Sequence, residues 1–216
     1  MKVDILPSER GLIGCLLAKI QNFDPDLLVG HDIYGFDLDI LLHRINILKV
    51  PHWSRISRLK RSKMPKLTQS HGRATFAEKS AVCGRMMCDV QISARELIRC
   101  RSYDLTALSS QVLKLTRKEV DYDEVREMYS SSKSLLQLVE MTLMDSKLIL
   151  LIMYELNAIP LALQITNICG NVMSRTLMGG RSERNEWLLL HAFQEKQYIC
   201  PDKEYKKKAV VSWNSF

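Results

Sequence analysis

The chain has 216 residues, 46% hydrophobic and 25% charged, with 31 Lys+Arg against 24 Asp+Glu and a net charge of +7. That balance is ordinary for a globular protein, and 9 Gly with 6 Pro exclude collagen-like and low-complexity classes. The longest apolar run, Leu148 to Tyr154, is far short of the ~20 residues of a membrane span, so no membrane partner is expected.

From the N-terminus, residues 8–22 read as an amphipathic helix. Leu12, Ile13, Leu16, Leu17 and Ile20 fall on one face, with Ser8 as N-cap. Asp24-Pro25-Asp26 breaks it, and Leu27, Leu28 and Val29 make a buried strand ending at Gly30. Leu38, Leu41, Leu42, Ile45 and Leu48 mark a second helix. Asp37 lies in its first turn, just past the carboxyl end of the strand, where α/β sheets place their sites. A helix-start Asp also serves as a cap or dipole partner, and both readings stand at this point.

Residues 51–80 show neither helical nor strand period. Arg55, Arg58, Lys60, Arg61, Lys63 and Lys66 form a basic run without an acid, beside Trp53. Such a run meets a polyanion or is a solvated loop; if the former, its cations neutralise phosphates and Trp53 stacks on a base. Arg85 to Val90 reads as a strand, Ser93 as the cap of a helix through Ile98, and Asp104 as the cap of another. Residues 119–132 are acidic, with a helical turn or two. Ser134 to Glu155 is a long helix, its apolar stripe running through Leu135, Leu138, Val139, Leu143, Ile149 and Ile152. Pro160 suits the first position of the next helix, which is expected to reach about Leu177. Gly179-Gly180 ends it, and a last helix covers about 183–197. Six cysteines without CxxC or zinc spacing read as reduced thiols. Lys206, Lys207 and Lys208 form a second basic cluster.

Four strings are unusual together: Gly30-His31-Asp32-Ile33-Tyr34-Gly35-Phe36-Asp37, Pro51-His52-Trp53-Ser54, Cys83-Gly84-Arg85-Met86, and Leu163 to Glu186 with its Met-Gly-Gly-Arg-Ser-Glu-Arg-Asn core. In this order they resemble the B-family DNA polymerases over about residues 9–203. The resemblance implies an α/β, ribonuclease H-like 3′–5′ exonuclease fold lacking its first strands, followed by a helical segment. It divides the chain into a partial exonuclease-like domain at 1–157, a helical linker toward a polymerase palm at 158–203, and a divergent tail at 204–216.

Such exonuclease sites use carboxylates around two metal ions about 3.5–4 Å apart, with oxygen ligands suited to Mg²⁺. In that family Asp37 stands at the Asp of the second motif, with His31 in place of an Asn. Asp145 stands at the Asp of the Tyr-x-x-x-Asp motif, with Met141 in place of the Tyr. The first-motif Asp-x-Glu pair, expected upstream of the helix at 8–22, is not found there, and the palm motifs do not occur. Asp37 and Asp145 are therefore expected to be vestigial metal positions. Mg²⁺ would belong to the parent enzyme, with none bound by this fragment. As a mid-helix acid, Asp145 equally suits solvent or an Arg partner.

The resemblance implies part of a replicative, nuclear DNA-directed DNA polymerase, a nucleotidyltransferase. This stretch by itself is expected to be inactive and to bind a DNA primer–template or an RNA–DNA hybrid. Trp53, Arg55, Arg58, Lys60, Arg61, Lys63, Lys66 and Arg181 are its expected nucleic-acid contacts. Primase and a polymerase accessory subunit are the implied protein partners. The alternatives are an active 3′–5′ exonuclease domain and a stand-alone nucleic-acid-binding module.

Overall fold

The structure is a computed structural model that describes residues 3–65, 67 and 80–200. Lys66 and the tail from residue 204, with its three lysines, lie outside the described residues. Helix α1 (Glu9–Phe23) starts where Ser8 Oγ accepts the Gly11 N–H at 3.2 Å. It stops at Asp24 in the left-handed region (φ 44°) and buries Ile13 and Leu17. Strand β1 (Leu27–Gly30) follows, then a π-helical turn (Ile33–Asp37) running directly into α2 (Leu38–Ile47). Of the α2 stripe, Leu38, Leu42 and Ile45 are buried.

The basic loop begins with a 3₁₀ turn, Trp53–Ile56, and chain returns through a second one at Ser80–Val82. Strand β2 (Met86–Asp89) lies parallel to β1, with Leu27 opposite Met86 and Gly30 opposite Asp89. Among the described residues this two-stranded sheet is the whole of the β structure.

The rest is helical. Helix α3 (Val90–Leu97) is capped by Asp89, whose carboxylate accepts the Gln91 N–H, and not by Ser93. The strand passes into the helix without a loop, so the cap falls on the last strand residue. Helix α4 (Leu105–Leu108) continues into a π-helical turn, Ser109–Leu113. Helices α5 (Tyr122–Met128) and α6 (Ser132–Glu155) follow. In α6 the buried residues are Leu148, Ile152 and Met153, while Leu135 and Leu143 are exposed. Apolar spacing alone did not tell which end of this long helix meets the core.

Helix α7 (Ala158–Cys169) starts two residues before Pro160 and ends at Gly170 in the left-handed region (φ 67°). It does not reach Leu177. The left-handed residue breaks the ladder, and a separate short helix α8 (Met173–Leu177) follows. Gly179 and Gly180, both at positive φ, lead into α9 (Arg181–Glu195).

Two apolar clusters sit on the two sides of the sheet region. One joins α1, α2 and the basic loop through Leu17, Leu42, Ile45, Trp53, Ile56 and Val82. The other joins β2, α3, α4 and the later helices through Cys88, Val90, Ala94, Leu108, Ile152, Ala162 and Leu177. Residues on either side of position 157 thus share one core. Arg184 of α9 reinforces it, donating to the Glu96 carboxylate of α3 (2.8 and 3.1 Å) and to the Thr176 carbonyl (2.7 Å).

Candidate functional site

The carboxyl ends of β1 and β2 gather the first set of candidate residues. Parallel register puts Asp89 beside Gly30. Asp89 is buried, and its Oδ1 accepts the backbone N–H of Asp32 (3.1 Å) and of Gln91 (2.9 Å). Burial pushes its carboxyl above the ordinary aspartate range. N–H bonds from Gln91, Asp32 and Ile92 pull the other way, and the Asp32 carboxylate adds to the rise.

Asp37 ends the π-helical turn opposite. It remains exposed as a residue, yet partial removal of its carboxyl from water raises its pKa, and the Asp32 and Asp89 charges raise it further against His31. Tyr34, buried in the same turn, has its phenol raised well above the usual value, chiefly by burial and then by Asp89. His31 turns to the Tyr103 carbonyl, Nε2 lying 2.7 Å from the oxygen, and so donates there.

Asp145 belongs to a different place. Both its oxygens accept from Arg117, Nε and Nη2 at 2.6 Å each, and Arg117 Nη1 also donates to Thr106 Oγ1 at 3.1 Å. This fork-on-carboxylate pair has the bidentate geometry in which such bonds are strongest. It lies in a hollow of about 470 Å³ that Met141, Met144 and Leu148 of α6 also line. Met141 and Asp145 share a face, as their i, i+4 spacing requires.

Among the described residues no three His, Cys, Asp or Glu side chains converge to hold a metal ion. Asp89 spends an oxygen on two backbone amides, and Asp145 spends both on a guanidinium. Asp32 and Asp89, which complete the acidic group around Asp37, were not singled out in the sequence. Only the parallel register brings residue 89 to residue 32; the cap position at the strand end was the available signal.

A third place is basic. A hollow of about 880 Å³ is walled by the loop after α2 and by Asp24 and Arg85. Five cations line it, Arg55, Arg58, Lys60, Arg61 and Arg85, against one carboxylate, Asp24. Arg58 donates to Asp24 and reaches Asp26 at 2.6 Å. Arg85, its side chain 2% exposed, donates to Asp24 Oδ1 (2.7 Å) and to the carbonyls of Pro25 (2.6 Å) and Ile56 (3.3 Å). Lys63 is exposed on the same loop. Trp53, expected to stack on a base, is buried in the first core cluster at 8% exposure, so its indole is not offered to a ligand. An apolar ring between α1 and the loop gains more by burial than by waiting in water. Arg181 is exposed as the first residue of α9, on the far side of the sequence from this loop.

Comparison with known proteins then places the chain. Residues 1–108 match the family model described as DNA polymerase family B, exonuclease domain. The chain is 60% identical to the DNA polymerase alpha catalytic subunit of Xenopus laevis over 206 residues, 95% of this chain and 14% of that one. It is 59% identical to the subunit of the same name in Mus musculus (96% and 14%) and 50% identical to that of Drosophila melanogaster (91% and 13%). The chain thus spans about one seventh of the length of these relatives. With half its length under the family model, and its strings of unusual residues in the expected order, the chain belongs to the exonuclease-domain family of the B-family DNA polymerases.

Proposed function

We propose that this chain is the exonuclease-like region of a replicative, alpha-type DNA-directed DNA polymerase. It would be a degenerate domain that binds nucleic acid and supports the enzyme without cleaving. In this reading the parallel pair with helices around it belongs to a ribonuclease H-like fold, and residues 158–203 lead toward the palm. The observation that carries the reading is the Arg117–Asp145 pair: the carboxylate at the third-motif position is bound at both oxygens by a cation of the chain itself. Met141, where the family has a tyrosine, lines the same hollow and has no hydroxyl to orient a water. The parent enzyme's metal has no fitting ligand set among the described residues, and no step is routed through it.

In the parent protein the reaction is nucleotidyl transfer on a primer–template, in the nucleus, with primase and an accessory subunit as partners. The basic loop is the surface offered to nucleic acid. Incubating the chain with a 5′-labelled primer and Mg²⁺ or Mn²⁺ tests the reading. No shortening is expected. Shortening that vanishes in the Asp37→Ala, Asp145→Ala double variant would overturn it.

A further inference from the structure

We propose that the fold divides the cations lining this basic hollow into a frame and a ligand-binding set. Arg58 and Arg85 build the hollow, whereas Arg55, Lys60 and Arg61 bind the phosphodiester backbone of a nucleic acid in it. This rests on the nucleic-acid reading above and goes further, because it names the contacts and removes Arg58 from them.

The division comes from how each charge is compensated. Arg85 is enclosed and spends its donors on Asp24 and two backbone carbonyls. Arg58 shares Asp24 with it, adds Asp26, and receives the loop's return through its own N–H, which donates to the Cys83 carbonyl at 3.1 Å. Gly84, at φ 90°, lets the chain pass so close that an added Cβ would lie 2.7 Å from Arg58 Cβ. Ser57 closes the local turn, its hydroxyl donating toward the Ser54 and Leu59 carbonyls at 2.9 and 2.8 Å. These contacts, with Trp53 and Ile56 buried beneath, fix the backbone of the loop before any ligand arrives. A site whose shape is set in advance loses less entropy on binding.

The side chains of Arg55 and Lys60 line the same hollow with no hydrogen bond or ion pair to any described residue. Among the described residues the Arg61 side chain has one partner, the neutral Ser80 hydroxyl at 3.3 Å, and pairs with no carboxylate. Three like charges on one wall repel each other at low salt, and a polyanion relieves that repulsion. The hollow is far larger than a lone phosphate needs, and it is open, which suits a chain of phosphates passing through. Among the described residues no Phe, Tyr or Trp lines it, His52 bringing the one ring to its wall, so binding is expected to rest on phosphate contacts and to depend little on sequence.

The test is fluorescence anisotropy of labelled primer–template duplex titrated with the full chain at several salt concentrations. The variants are the triple Arg55→Gln, Lys60→Gln, Arg61→Gln and the single Arg58→Gln, each checked by thermal melting for an intact fold. The triple variant is expected to flatten the slope of log K against log[salt] by about 2–3 units, roughly 0.9 per lost contact on B-DNA, and to bind at least ~10-fold more weakly at low salt. Arg58→Gln is expected to keep the wild-type slope.

A wild-type slope in the triple variant would place the contacts elsewhere and overturn the division while leaving nucleic-acid binding intact. A slope flattened as much by Arg58→Gln as by the triple would also overturn it, since Arg58 would then be a contact. Wild-type chain that binds no duplex at any salt would overturn the nucleic-acid reading itself. If that same chain bound phosphatidylserine vesicles through these residues, the ligand assigned here would be wrong.

Discussion

At the scale of single residues, position 89 shows how one carboxylate serves the fold against its own electrostatics. Asp89 ends a strand, caps a helix and holds the Asp32 backbone, all through Oδ1. Its charge is not needed for this, since an amide oxygen accepts equally well. Burial raises its folded-state pKa above the ordinary aspartate value of 3.8. Below that value the group is protonated in both folded and unfolded chains and costs nothing. As pH rises past it, the unfolded chain releases its proton before the folded one, so the wild type loses stability as pH climbs through the raised value. Asp89→Asn is therefore expected to match the wild type near pH 3.5 and to melt higher at pH 7. Asp89→Ala, which loses the cap and both accepted bonds, is expected to cost about 1–2 kcal/mol at either pH. Urea titrations at the two pH values compare all three proteins; an Asn variant that gains nothing between them would contradict the assignment.

Arg117 invites a second residue-scale experiment. With Arg117→Gln the Asp145 carboxylate loses its bidentate partner while Met141 stays. Stability is expected to fall by about 1.5–3 kcal/mol, the usual worth of hydrogen bonds to a charged group. Exonuclease activity is expected to remain absent, because freeing one carboxylate does not create a ligand set. Denaturant melts and the primer-shortening assay read the two outcomes separately.

At the scale of elements, two connections decide how the pieces meet. The β2 approach depends on Gly84, whose positive φ and contact with Arg58 leave no place for a side chain. Gly84→Ala is expected to destabilise by about 1–2 kcal/mol from backbone strain alone. Its clash should also displace Arg58, the frame of the basic hollow, and differential melting reads the loss of stability. Helix α9 is tied to α3 by Arg184, nearly buried and bonded to Glu96 and Thr176. Its Nε finds no partner among the described residues, so the guanidinium is already short of one bond. Arg184→Met, which keeps most of the side-chain volume, is expected to loosen α9 selectively. Faster amide exchange in 181–195 than in α1 and α2 is the expected signature, and equal exchange in all three would contradict it.

At the scale of the whole molecule, the sheet is the weak part. A two-stranded pair is marginal alone, and here helices on both sides supply the burial. Large apolar residues remain exposed on the helices, among them Leu143, Met144 and Tyr154 of α6 and Leu188 and Leu189 of α9. Exposed apolar surface of this kind marks interaction or aggregation faces. Alone in solution, the chain is expected to bind ANS, to self-associate as concentration rises, and to melt broadly. A sharp, concentration-independent transition of a monomer would contradict this.

Sequence by itself determined the helices whose caps and apolar faces are local. Ser8 and the Ile13–Leu17 face fixed α1, and Leu38–Leu42–Ile45 fixed α2, because capping and i, i+4 neighbours are written within a few residues. The ordered strings of unusual residues carried the family, since that signal is also linear. What only the tertiary structure decided involves partners distant in the chain. Asp89 meets Asp32 through strand register, Arg117 takes Asp145 across 28 positions, and Arg85 takes Asp24 across 61. Spacing also could not show that Trp53 is core or that α6 buries its C-terminal half. A side chain's availability to a ligand depends on what the fold lays over it, and its charge on which opposite charge the fold brings near.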